Sequence, residues 1–250
     1  MDQYIFITGA SSGFGEATAR LFAKRGWSLI LLARRKERLL ALKEELSNQV
    51  EVIILTCDVR DEQSVNKAIS MLDDSVLDNI DLLVNNAGLA VGKGPIDEGI
   101  TEDWERMIDT NIKGLLYVTK ALVPSFKRNK KGHIINIASI AGKEVYPGGN
   151  VYCATKHAVD ALSRAMRIDL VSHGIKVSNL APGAAETEFS IVRFKGDAKT
   201  AGQVYDGYDP LIADDIAETV WFLASRPAHV NINDITIMAT AQASATVFSN

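Results

Sequence analysis

Seven short apolar runs alternate with helical patterns along the chain, and this alternation constrains the fold more than any other feature. The runs fall at 4–8, 28–32, 52–56, 82–84, 134–137, 176–180 and 235–238. Helical stretches begin between them near Gly13, Lys36, Asp61, Thr101, Val151 and Ala213. Unbroken apolar strands are buried on both faces, and helical crossovers between them impose parallel pairing with right-handed connections. The expectation is one α/β domain over 1–250 built on a doubly wound, seven-stranded parallel sheet. No linker, repeat or low-complexity tract divides the chain. The helix from Thr101 is long; Thr101-Glu-Asp is its capping signal, and Pro124 should kink or end it. Only 184–210 breaks the alternation. It is long for an α/β connection, as lids and binding loops are, and substrate selection is placed there.

Composition excludes several function classes. A formal net charge of −4 argues against nucleic acid as a main partner. No apolar run approaches the ~20 residues of a membrane span, so no membrane role is expected. The start, MDQYIFITGASSG, has no basic n-region and enters a strand at once. No secretory signal is visible, and the expected location is the cytoplasm. Cys57 and Cys153 are too few for a disulfide framework, and no Cys/His cluster has metal-ligand spacing. Cys153 is read as packing.

A dinucleotide site is expected after the first strand, where Thr8-Gly-Ala-Ser-Ser-Gly-Phe-Gly15 leads into a helix. Gly9, Gly13 and Gly15 allow a tight turn and close approach to phosphate. Ser11, Ser12 and Phe14 lie between them, and the helix N-terminus supplies N–H donors. A glycine-rich turn alone could be plain structure; its place between first strand and first helix favours a dinucleotide. The second strand ends Leu32-Ala-Arg-Arg35, where an NAD enzyme usually carries an acid for the ribose 2′-hydroxyl. Arg34 and Arg35 suit a 2′-phosphate instead, which points to NADP. The alternative is a solvated basic helix start. Asp58-Val59 closes the third strand within reach of an adenine edge. Asn85, Ala87 and Gly88 close the fourth, at the switch point of the sheet.

The chemistry is expected between Gly132 and Lys156. Ser139 sits past the carboxyl end of the fifth strand. Pro147, Gly148 and Gly149 make a turn, Asn150 is a good N-cap, and the next helix places Tyr152 and Lys156 on one face. An ammonium beside a phenol favours the phenolate and offers a general acid/base near neutral pH. An isolated Tyr-x-x-x-Lys is commonplace on helix surfaces; the serine and the cofactor signals give this one its meaning.

With these pieces placed, the chain resembles the short-chain dehydrogenase/reductases. TGASSGFG, NNAG at 85–88, Asn111, Ser139, Tyr152-Cys-Ala-Thr-Lys156 and Pro182-Gly183 carry the likeness in order along nearly the whole chain. Within the family it is most similar to the NADP-dependent 3-hydroxy acid dehydrogenases that oxidise L-serine and L-allo-threonine. Longer segments carry that finer likeness: NNAGLA from Asn85, MIDTN ending at Asn111, GGNVY ending at Tyr152, ETEFSIVRFKG from Glu186 and PAHVNIN from Pro227. The alanine-rich tail, Ala239-Thr-Ala-Gln-Ala-Ser, departs from the pattern.

The resemblance implies a Rossmann-type fold, reversible hydride transfer with NADP, and a catalytic set of Asn111, Ser139, Tyr152 and Lys156. Tyr152 would take the hydroxyl proton, and Ser139 would hold the substrate oxygen. Lys156 would lower the tyrosine pKa and bond the nicotinamide ribose. Asn111, a poor helix former in mid-helix, would distort that helix and hold a water in a proton relay. Pro182, Gly183 and Thr187 would meet the nicotinamide. A 3-hydroxy acid needs a cation for its carboxylate. Arg193 and Lys195 in the 184–210 segment are the candidates, with Arg193 preferred for its bidentate geometry. A homotetramer is implied by likeness alone. The rival readings are a reductase of ketoacyl thioesters, sugars or steroid-like ketones, and a non-catalytic NADP(H) sensor.

Overall fold

The computed structural model describes residues 3–249. Its strands are β1 (Tyr4–Thr8), β2 (Ser28–Ala33), β3 (Val52–Thr56), β4 (Ile80–Asn85), β5 (Gly132–Ile137), β6 (Ile175–Pro182) and β7 (Asp234–Ile237). They form one sheet in the order β3-β2-β1-β4-β5-β6-β7, and every neighbouring pair is parallel. The order changes direction between β1 and β4, and open α/β sheets bind ligands beyond the carboxyl ends of their strands at such a point.

The helices are α1 (Gly13–Lys24), α2 (Lys36–Leu46), α3 (Glu62–Ile69), the single turn α4 (Asp74–Leu77), α5 (Thr101–Ile108), α6 (Leu115–Asn129), α7 (Asn150–Leu170), α8 (Glu188–Arg193), α9 (Ala198–Gln203) and α10 (Ala213–Ala224). Successive strand residues point to opposite faces, so each run feeds two cores. Ile5, Ile7, Leu29 and Leu31 pack with Phe22 of α1, Leu39 of α2 and Val220 of α10. Phe6, Ile30 and Leu32 pack on the other face with Val65 of α3, Phe126 of α6 and Val159 of α7. Burying one such side chain is worth about 1.5–3 kcal/mol, which explains why 5–7 of β1 and 29–32 of β2 carry no polar side chain.

Several local expectations are corrected. The long helix from Thr101 is divided into α5 and α6 by a π-turn at Asp109–Gly114, a distortion at Asn111 of the kind the resemblance implied. Ile100, not Thr101, is the N-cap of α5, and no side chain caps it. Pro124 does not end α6, which continues to Asn129. The proline is exposed, so the carbonyl it leaves unbonded faces the solvent side. Gly149 takes the N-cap position of α7 and Asn150 opens the helix; its amide donates to the Gly94 carbonyl at 3.1 Å. The 184–210 segment is no open loop. It folds into α8 and α9, braced where the Tyr205 hydroxyl meets Ser190 Oγ at 2.6 Å and donates to the Ala185 carbonyl at 2.8 Å.

Candidate functional site

A cleft of about 780 Å³ opens beyond the carboxyl ends of the central strands. It is walled by the glycine turn after β1, the ends of β2 to β6, α8, Val204 and Tyr205 just after α9, and tail residues around Gln242. The glycine turn is built by contacts that tolerate no side chain. Gly9 and Gly13 have φ of +66° and +54°. A Cβ on Gly15 would lie 2.6 Å from both the Gly9 carbonyl oxygen and Asn86 Nδ2. That amide donates to the carbonyls of Thr8 at 2.9 Å and Gly9 at 3.2 Å. Asn86 therefore braces the turn from β4. Asn85 does not reach the cleft: it is buried, and its amide donates to Thr119 Oγ1 and Asn136 Oδ1, both at 2.9 Å. The polar end of β4 is one position beyond the expected one.

Arg34, Arg35, Asp58 and Val59 line one end of the cleft, with Ser11, Ser12, Gly13 and Phe14. Arg35 donates to Ser11 Oγ at 3.1 Å and to Ser12 Oγ at 2.6 Å, so its guanidinium lies over the phosphate turn. It also pairs with Glu188 at 2.9 Å, as Arg38 does at 2.7 Å. Neither Glu188 nor Arg38 is among the residues expected here from sequence. Burial opposes ionisation of Asp58, but hydrogen bonds from Arg60 and the charges of Arg60 and Arg34 hold its carboxyl below the usual range. The residues fit a phosphorylated dinucleotide. They combine a glycine cradle that a Cβ would fill, guanidiniums at the end of β2, and the buried Thr110 Oγ1, which lines the cleft without a hydrogen-bond partner.

The structure brings the other end together from four elements. Ser139 follows β5 and caps a short 3-10 turn, Ile140–Gly142, accepting from the Ala141 N–H at 3.1 Å. Tyr152 and Lys156 are both buried on α7 and both line the cleft. Lys156 Nζ donates to the Ile137 carbonyl at 2.8 Å and lies 5.9 Å from the Tyr152 ring centroid. Asn111 sits inside the π-turn. Its Oδ1 accepts from the Leu89 N–H at 2.9 Å, while its amide donates to the Leu89 carbonyl at 2.8 Å and to Thr155 Oγ1 at 3.0 Å. A Cβ on Gly88 would come within 3.3 Å of Asn111 Oδ1 and 3.5 Å of Lys156 Nζ, so these groups meet at the end of β4. Ala87, Pro182, Gly183 and Thr187 complete this wall.

One electrostatic expectation is reversed. Tyr152 is not acidified by Lys156: burial pushes its phenol well above the ordinary range, and Tyr146 adds to the rise. Ser139, by hydrogen bonding, and Arg193, by charge, act in the opposite direction. Lys156 is itself pushed down to about 8 by burial. The physical reason is that desolvation penalises both charged forms, and the ammonium is directed at a backbone carbonyl.

The two loop cations part ways. Arg193 lies over two rings of the cleft, 5.2 Å from the Tyr146 centroid and 5.8 Å from that of Tyr152. Its Nε is buried without a hydrogen-bond partner, and among the described residues no carboxylate lies at ion-pair distance from it. Lys195 is not brought to the cleft; its ammonium pairs with Asp103 at 2.7 Å. Sequence reasoning also missed Tyr146, Phe189 and the tail residues Gln242, Ala245, Thr246 and Phe248, which line the cleft. Gln242 Oε1 accepts from the Ala184 N–H at 2.8 Å, a contact between residues 58 apart that no local pattern signals. Among the described residues no cluster of His, Cys, Asp or Glu has metal-holding geometry, and no helix is long and apolar enough to cross a membrane.

Residues 3–197 match the family model described as short chain dehydrogenase. A sulfoacetaldehyde reductase from Chromohalobacter salexigens is 46% identical over 97% of this chain and 96% of its own. An NADP-dependent 3-hydroxy acid dehydrogenase from Salmonella typhi is 46% identical over 95% of both. The closed form of a serine dehydrogenase complexed with NADP+ superposes with a TM-score of 0.94 at 43% identity, covering 99% of each chain. A glycine-turn cleft, a buried Tyr-Lys pair and likeness along the whole length converge: the chain belongs to the short chain dehydrogenase family.

Proposed function

We infer that the chain is an NADP-dependent oxidoreductase that interconverts the hydroxyl of short 3-hydroxy acids (L-serine, L-allo-threonine and 3-hydroxypropionate-like compounds) and the corresponding carbonyl. The observation that carries the substrate class is Arg193, a cation without a carboxylate partner over the ring of Tyr152. A substrate carboxylate held there leaves its 3-hydroxyl facing Tyr152 and Ser139.

NADP, when bound, supplies the hydride acceptor in oxidation and the donor in reduction. Tyr152 takes the hydroxyl proton at its phenolic oxygen. Ser139 Oγ bonds the substrate oxygen and stabilises charge developing there. Lys156 holds the ribose side of the nicotinamide pocket, and Thr187 the carboxamide side. Asn111 and its π-turn hold open the route by which a proton passes from Lys156 to solvent; π-turns inside α-helices are frequent at functional sites. Arg34 and Arg35 take the 2′-phosphate. Arg193, rather than Lys195, takes the substrate anion. Because a relative is named for sulfoacetaldehyde, a short sulfonate with its charge in the same place is the second substrate to assay. The exposed apolar side chains Ile108 and Leu116 beside the π-turn, with Ile168 and Val171 at the end of α7, support a homo-oligomer, with a tetramer as the form proposed.

Five outcomes follow. Absorbance at 340 nm should change when the protein meets L-serine or L-allo-threonine with NADP+. Tyr152→Phe should lower kcat by about 10²–10⁴-fold with NADPH affinity kept; a fully active variant removes Tyr152 from the reaction. Arg193→Ala should raise KM for L-serine by about 10–100-fold, the loss of a charge-assisted bond, and leave an uncharged alcohol nearly unaffected. Equal effects on both substrates retire the anion site. Arg35→Ser should raise KM for NADP+ by about tenfold or more and leave NAD+ unchanged; parallel changes refute the 2′-phosphate contact. Light scattering should give four times the chain mass, and a monomer at micromolar concentration refutes the assembly.

A further inference from the structure

Ser139 meets the helix that carries Tyr152 through a hydrogen bond to Tyr152 itself, the very contact whose length is at issue. Beyond that contact, its hydroxyl reaches the Pro182 carbonyl only at 3.4 Å and serves its own turn. The distance from Ser139 to Tyr152 therefore depends on how the turn Ile140–Gly142 is fixed to α7. Two features fix it. Gly142 lies so close to α7 that a Cβ there would stand 2.5 Å from the Lys156 carbonyl oxygen. The next residue, Lys143, extends its ammonium between two carboxylates, 2.5 Å from Asp160 Oδ1 and 2.6 Å from Asp234 Oδ2.

Asp160 is one helical turn beyond Lys156 and two beyond Tyr152, on the same face of α7. Asp234 opens β7. Asn179 of β6 donates to both carboxylates, at 3.0 Å to Asp160 and 2.8 Å to Asp234, and Arg164 pairs with Asp160 at 2.8 Å. The Lys143 side chain is 23% exposed and that of Asp160 12%. One ammonium thus joins the Ser139 turn to α7, with β6 and β7 behind it. Partly buried ion pairs contribute little net stability against apolar replacements. Geometry is where this one acts, because the reacting groups tolerate little displacement: ~1 Å of misplacement can cost ~10²-fold in rate.

We propose that Lys143, clamped between Asp160 and Asp234, is a positioning residue for hydride transfer that sets the spacing between Ser139 and Tyr152. The role rests on the reaction assigned above. In the NADP-bound enzyme, Lys143→Met should lower kcat by about tenfold or more while the Kd for NADPH stays within about twofold. The deuterium isotope effect on kcat should rise, since hydride transfer becomes the slower step. Lys143→Arg, which keeps the charge, should recover most of kcat. Asp234→Asn removes a carboxylate that is 39% exposed and keeps the Lys143–Asp160 pair, so it tests the clamp should Lys143→Met fail to fold; it should show the same split in smaller measure. Wild-type kcat in folded Lys143→Met or in Asp234→Asn overturns the proposal, as does a loss that Lys143→Arg leaves unrepaired. Amide exchange over 139–143 reads the clamp without any substrate. It should quicken in Lys143→Met, or in Asp234→Asn if that variant alone folds; exchange equal to wild type overturns the clamp even if L-serine proves not to be a substrate.

Discussion

The burial of Lys156 is the constraint on which the rest of the site depends. An ammonium removed from water must find an acceptor, and this one finds the Ile137 carbonyl at the end of β5. That bond sets the height of α7 against the sheet. One turn toward the N-terminus the same face presents Tyr152; one turn the other way it presents Asp160. The helix register thus decides at once where the phenol points and where the Ser139 turn is anchored. Desolvation holds both Tyr152 and Lys156 toward their neutral forms. Burial by protein alone therefore does not deliver a phenolate. The charge of Arg193 acts against that burial at Tyr152.

The cleft is otherwise divided by charge. At one end, guanidiniums from the end of β2 and the start of α2 gather over the serines of the glycine turn. At the other, a single guanidinium from α8 stands over aromatic rings. Glu188, the first residue of α8, links the two by pairing with Arg35 and Arg38. The start of α8 is therefore tied to the start of α2 and, through Arg35, to the glycine turn.

Legibility followed range. The glycine turn, Ser139 and the Tyr152–Lys156 pair could be read because each role depends on spacing within one element. The sheet was readable for the same reason, since apolar side chains dominate its central strands β1, β2 and β4. Asn85 and Asn86 are adjacent amides, and only the three-dimensional partners, Thr119 and Asn136 for one and the Thr8 carbonyl for the other, decide which faces the cleft. Arg193 and Lys195 parted for a similar reason: the carboxylate that takes Lys195 is Asp103, on a distant helix. The raised tyrosine pKa escaped because burial is a property of the fold. The tail residues around Gln242 escaped because nothing near them in the chain marks their return to the cleft.

The π-turn at Asp109–Gly114 has a consequence for helical phase. A π-turn holds one residue more than the α-turn it replaces. Winding those same residues as regular α-helix would give a smooth rod from Thr101 to Asn129, but it would rotate the two halves by about 100° about their common axis. Either Val118, Leu122 and Phe126 would leave the sheet, or Asn111 would swing off Leu89. The packing of α6 and the placement of Asn111 against Leu89 are thus geared together by a single extra peptide unit.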